Sequence, residues 1–119
     1  MDLQERIAAF VSHVDAVAAE YWQNSNFTYS RPPIHKADYI SDKWCRIDVL
    51  DDRNGVYAPT SVYCFVCLQD YATKTLGQLK VGDIHKAASY KAAAKHARGT
   101  VFAENFGKCA GPHGVTYLK

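Results

Sequence analysis

Ser61-Val62-Tyr63-Cys64-Phe65-Val66-Cys67-Leu68 is the stretch that decides the fold. Aromatic, β-branched and thiol side chains occupy both phases of its alternation, so a strand made from it has no polar face. Such a strand belongs at the centre of a sheet, covered on both sides. The rest of the chain has to supply the neighbours and the covers.

The first cover is legible at the N-terminus. Leu3, Ile7, Phe10, Val14, Val17 and Tyr21 follow one another at steps of four and three, which places them on one face of a helix. Asp2 is placed to cap its first turn, and Glu5 completes a capping-box pattern. Val11 and Ala18 widen the stripe, while Gln4, Arg6, Ser12 and Glu20 lie off it. The seam is too short for a free-standing coiled coil. It covers the chain's own sheet or pairs with a second copy.

Outward from the helix, Asn24 to Pro33 is rich in Asn, Ser and Pro and reads as a loop. Lys43 to Leu50 alternates, with Cys45, Ile47 and Val49 on one face and Trp44, Arg46 and Asp48 on the other. Asn54-Gly55 accepts positive φ at both positions and closes a turn. Tyr71 to Leu79 reads as a polar loop, and Val81 to Ala87 as a short strand. Ala88 to Ala97, rich in Ala and Lys, predicts a second helix that Gly99 would end. Val115 to Leu118 predicts a last short strand. The expected fold is therefore α+β: an N-terminal amphipathic helix on a small antiparallel sheet, a second short helix and a C-terminal strand. One domain spans residues 1–119, with the helix in 1–23, a connecting segment in 24–42 and the sheet plus a ligand-binding segment in 43–119.

Composition narrows the function. Hydrophobic residues make up 48% and charged residues 22% of the chain, which argues against wholesale disorder. Acidic Asp2 and Glu5 stand where a signal peptide would be positive, and no apolar run reaches the ~20 residues of a membrane span. The expected location is the cytosol. Cys64 and Cys67 form a C-x-x-C pair, but three positions apart on a strand they diverge to opposite faces. Cys45 and Cys109 lie outside any ligand knuckle, so no metal and no cofactor are expected, and the thiols read as buried and free. The five histidines form no HExxH motif and no i, i+4 pair, and neither a nucleophile elbow nor a P-loop is present. No catalytic residue is assigned.

Charge singles out one region. Residues 1–73 hold six Lys or Arg against ten Asp or Glu, whereas residues 74–119 hold eight against two. In the expected second helix, Lys91, Lys95 and Arg98 follow at steps of four and three and would put three cations on one face. Tyr90 offers a ring for stacking, Arg98 a bidentate phosphate contact, Gly99 close backbone approach and Thr100 a hydroxyl. Together they suit a nucleotide-sized anion; the competing reading is a solvated surface helix.

The run from Val62-Tyr-Cys-Phe-Val66 through Gly82-Asp-Ile-His-Lys-Ala87 and Ser89-Tyr-Lys-Ala-Ala-Ala-Lys-His-Ala-Arg-Gly99 to Gly111-Pro-His-Gly-Val-Thr-Tyr-Leu118 resembles a group of small bacteriophage accessory proteins. Within it, the chain is most similar to the Thoeris anti-defence protein 1 family, over about the C-terminal half. The resemblance implies a phage-encoded inhibitor of bacterial immunity, working in the cytoplasm of the infected host. It would sequester a cyclic ADP-ribose isomer without degrading it, as a dimer or larger homo-oligomer. It also implies that Tyr90 stacks on the adenine, that Arg98 and Lys91 bind the pyrophosphate, and that Thr100 meets the adenine or ribose edge. Tyr90 replaces the Trp or Phe of that pattern and Thr100 replaces an Asn. The competing function is inhibition of a host enzyme or nuclease through a protein interface; nucleic acid and membrane are not expected partners.

Overall fold

The computed structural model describes residues 2–25, 31–89, 91–104, 109–111, 114 and 115. Its first element is helix α1, Leu3–Asn24. Asp2 and Glu5 form the capping box reciprocally, and Ile7, Phe10, Val14 and Ala18 of the stripe are buried. Seven strands follow: β1 Ile34–Asp38, β2 Trp44–Arg53, β3 Val56–Cys67, β4 Tyr71–Thr73, β5 Gly77–Leu79, β6 Asp83–Ala87 and β7 Ala93–Thr100. Five of them form one sheet in the order β1-β2-β3-β6-β7, with every neighbouring pair antiparallel, and β4 with β5 makes a separate hairpin. The architecture is the α+β fold read from the sequence, with the doubly apolar strand at the sheet's centre.

Both sides of that strand are buried, for different reasons. Cys64 and Val66 join Cys45, Ile47 and Ile84 in the cluster that Ile7, Phe10 and Val14 cover from α1. Phe65 and Cys67 lie outside that cluster, yet both are buried. On this second side, Trp44 meets Phe65, His85 and Tyr71 edge-on, and its Nε1 donates to Tyr71 Oη, which anchors the small hairpin. The strand thus separates Cys64 from Cys67. Burial pushes the Cys45 thiol up to about 12 and holds Cys64 well above the ordinary thiol range, so both stay protonated at neutral pH.

Three parts depart from the expectation. The connecting segment contains a strand, β1, whose His35 pairs with Val49. The Tyr71–Leu79 loop folds back on itself as β4 and β5. The largest correction concerns the second helix: residues expected there form β7 instead, paired to β6 from Asp83↔Thr100 to Ala87↔Ala93. Helix propensity over so short a run is weak, whereas the free edge of β6 offers a full ladder of partners. Surplus residues leave the ladder as irregularities on either side of the His85↔Ala97 pair. Gly99 is accordingly no helix cap; it faces Ile84 across the ladder, and a β-carbon there would stand 3.3 Å from Cys109 Sγ. Val115 bridges Ala110, while the other residues of the expected last strand, 116–118, lie outside the described residues.

Asn54 and Gly55 turn β2 into β3 with φ of 55° and 88°, the conformation that their residue types favour. No helix is long and apolar enough to cross a membrane, among the described residues.

Candidate functional site

The site expected from the sequence is dispersed by the strand. Lys91 sits in the turn between β6 and β7, where its N–H donates to Ser89 Oγ. Lys95 and Arg98 fall in the two irregular parts of β7, Lys95 exposed and Arg98 half-buried. Thr100 ends the strand opposite Asp83, and its Oγ1 accepts from the Phe102 N–H. From Ala93 to Thr100 an extended chain covers roughly 23 Å. The three cations therefore share no helical face. Tyr90 lies outside the described residues.

A cavity of about 310 Å³ opens instead at the other side of the sheet, beneath the C-terminal half of α1. Ala18, Tyr21 and Trp22 of α1 form one wall, and Pro33, His35, Val49, Asp51, Ser61 and Tyr63 form the rest. Its sheet wall follows from register: His35 pairs with Val49 and Val49 with Ser61, so the three side chains share one transverse row. Register shifts after Ile47 and Val49 disturb the β2–β3 ladder beside this row and leave Tyr63 facing no partner residue.

The cavity's polar groups are held in place. Asp15 of α1 accepts at one oxygen from both the backbone N–H and Nδ1 of His35, each at 2.8 Å. A carboxylate only accepts, so Nδ1 donates in this pair. Tyr63 meets the His35 ring edge-on at 5.0 Å and donates its hydroxyl to Gly111 O at 2.6 Å. Burial raises the Tyr63 hydroxyl well above its ordinary pKa, so the group stays a donor. Asp51 accepts from Thr60 Oγ1 at 2.5 Å. Behind the rim, Arg31 ties the start of the β1 segment to the β2–β3 turn. Its backbone N–H and Nε donate to Asp52, Nη2 donates to Gly55 O, and its guanidinium stacks on Tyr57.

Ser61 and His35 occupy the ends of the row with Val49 between them, about 10 Å apart at Cα by sheet spacing. Among the described residues no hydrogen bond joins them. Also among the described residues, no three His, Cys, Asp or Glu side chains stand close enough to hold a metal ion.

Two lysines lie on the β6 side of the sheet. Lys86 pairs with Cys64, the chain neighbour of Tyr63, and shares the sheet face of Ile84 beneath α1. The turn carrying Lys91 continues from β6 toward the same end of the sheet.

Sequence reasoning did not find this cavity. The one available signal was Asp15, an acid directly beside buried Val14 on the apolar stripe, where it needs a partner from another element. Comparison with protein families, curated proteins and solved structures finds no match for this chain.

Proposed function

We propose that this chain is a binding protein that holds a nucleotide-like anion intact. The observation that carries the reading is the cavity: Tyr21, Trp22 and Tyr63 beside an imidazole fixed by Asp15. Aromatic walls with a few fixed polar groups suit a planar ring. Lys86 and Lys91 lie toward the β6 side of that end of the sheet, where a phosphate joined to the ring would be met. The excess of eight Lys or Arg over two acids in residues 74–119 supports an anion.

In its finer form the proposal follows the family resemblance. The ligand is a cyclic ADP-ribose isomer, and the chain is a phage inhibitor of bacterial immunity that sequesters this signal in the host cytoplasm. The resemblance implies contacts from Tyr90, Lys91, Arg98 and Thr100, to which charge spacing adds Lys95. Contacts from Lys95, Arg98 and Thr100 on β7 would place the ligand at that edge in place of the cavity, and the two placements are alternatives within this proposal. Homo-oligomerisation belongs to the same proposal. It would use surfaces other than the α1 stripe, whose centre the chain's own sheet covers; Val56, for example, is 67% exposed.

The test is to purify the protein from cells carrying the defence, denature it, and identify released small molecules by mass spectrometry. Calorimetry with cyclic ADP-ribose isomers follows. A released nucleotide and a saturable binding isotherm are expected. Protein that releases none and gives no heat with the isomers overturns the reading, and a stoichiometrically bound host enzyme or nuclease favours the interface alternative. Affinity that falls as steeply with salt as phosphate-backbone binding does would point to nucleic acid.

A further inference from the structure

We infer that the cavity beneath α1 also receives a small organic cation, a methylated ammonium head group, held by Tyr21, Trp22, Tyr63 and Asp51. The inference goes beyond the nucleotide reading and does not rest on it. It gives the same walls a second ligand, of opposite charge.

Charge around the cavity is of one sign. Asp51 lines it, and neither Lys nor Arg does. Asp15 balances a doubly protonated His35 and exceeds a neutral one, so in either state the Asp51 carboxylate is left unmatched. Thr60 engages only one of its lone pairs. At the rim, the Arg31 guanidinium is committed to Asp52, Gly55 O and the Tyr57 ring. Lys86 stands beside Cys64, past Tyr63 and outside the lining. The last turn of α1 supplies Tyr21 and Trp22 and holds no basic residue, so the helix brings the negative end of its dipole to this wall. Three aromatic rings share the same small space. An ammonium group that carries methyls in place of N–H donors needs no hydrogen-bond partner and is recognised by ring faces. The volume of about 310 Å³ is at the lower end for ligand cavities (~300–1,000 Å³), which suits a compact head group.

Choline is the probe, and its matched control is the neutral alcohol in which a tert-butyl group replaces the trimethylammonium group. The two share a shape and differ in charge. Titrations of the full chain, followed by protein NMR into the millimolar range at constant ionic strength, are expected to show choline binding at least about tenfold more tightly. Trp22→Ala removes one ring and Asp51→Asn the unmatched charge. Each should weaken choline binding by at least about threefold, in variants whose circular dichroism matches the parent's. Equal binding of the two probes, no binding of choline, or undiminished choline affinity in both folded variants overturns the inference. Adenosine 5′-monophosphate reports on the nucleotide reading separately. If the nucleotide binds and choline does not, this inference falls and that reading stands; if choline alone binds, the reverse holds. Displacement of choline by the nucleotide supports both and puts the two ligands in the cavity. Simultaneous binding keeps this inference and moves the nucleotide to the β7 edge.

Discussion

The two lateral edges of this sheet are built on opposite plans. At the β1 side, polar side chains reach across elements and lock: Asp15 to His35, Arg31 to Asp52 and Gly55, and Tyr57 to Pro32. At the β7 side, the strand leaves its ladder twice and exposes Lys95 and His96. The first plan makes a cavity with fixed groups, and the second makes a charged, irregular edge of the kind that discourages strand addition. A row of cations evenly spaced in sequence is thus a weak guide to a site. Shape and cross-element ties are stronger ones, and they depend on pairing that no local pattern reveals.

The contrast is open to test, and the largest effect is expected from ring deletion. Phe10 is fully buried against the sheet, whereas Phe102 past β7 is 43% exposed. Phe10→Ala should cost about 3–5 kcal/mol in urea unfolding, and Phe102→Ala under about 1 kcal/mol. Comparable losses would mean that the β7 side is packed as tightly as the core.

Next comes the Asp15 tie. Asp15→Ala leaves the His35 backbone N–H and Nδ1 without their acceptor and should cost about 1–3 kcal/mol. If the two donors pair with water at no loss, denaturant midpoints will not move, and the cavity wall is less fixed than its geometry suggests. On the other side, Gly82 holds a φ of +88°, and a β-carbon there would run into the Phe102 ring. Gly82→Ala should cost about 1–2 kcal/mol, chiefly through the backbone because the ring can swing away.

A smaller effect appears in acid. The Arg31 backbone N–H and guanidinium, together with the Gly55 N–H, hold the Asp52 carboxyl below its usual range. A carboxyl depressed on folding stabilises above its unfolded pKa of about 4 and loses that contribution as pH falls through the folded value. Melting temperature should therefore drop less steeply below about pH 4 in Asp52→Asn than in the parent. Parallel curves would show that this clamp adds nothing.

Much of the fold was legible because its signals are redundant. The α1 stripe, its capping box, the Asn54-Gly55 turn and the doubly apolar Ser61–Leu68 run each carry a local physical signature, and all four agree with the structure. Residues 88–97 misled for an equally physical reason. Alanine and lysine favour helix in isolation, but the unpaired edge of β6 outweighs that preference. The cavity was illegible because it joins residues from four elements, and β1, which brings His35 to Asp15, was itself hidden in the expected loop. The joint placement of Lys91, Lys95, Arg98 and Thr100 depended on the helix that does not form.

The smallest predicted effect discriminates best between the two edges. Lys95 is exposed in the irregular part of β7, so Lys95→Ala should change stability by no more than about 0.5 kcal/mol. Lys86 is half-buried on the sheet face beneath α1, in register with Cys64 beside the cavity. If the ring of a nucleotide enters the cavity, Lys86→Ala removes a nearby cation and should weaken adenosine 5′-monophosphate binding by about tenfold, the scale of one charge-assisted contact. Lys95→Ala, farther along β7, should leave the same affinity within about twofold, since a solvated lysine at that distance is largely screened at physiological salt. Calorimetry on the two folded variants at one ionic strength makes the comparison. A large loss with Lys95→Ala and none with Lys86→Ala would move the anion to the β7 edge, where the spacing of charges in the sequence first placed it.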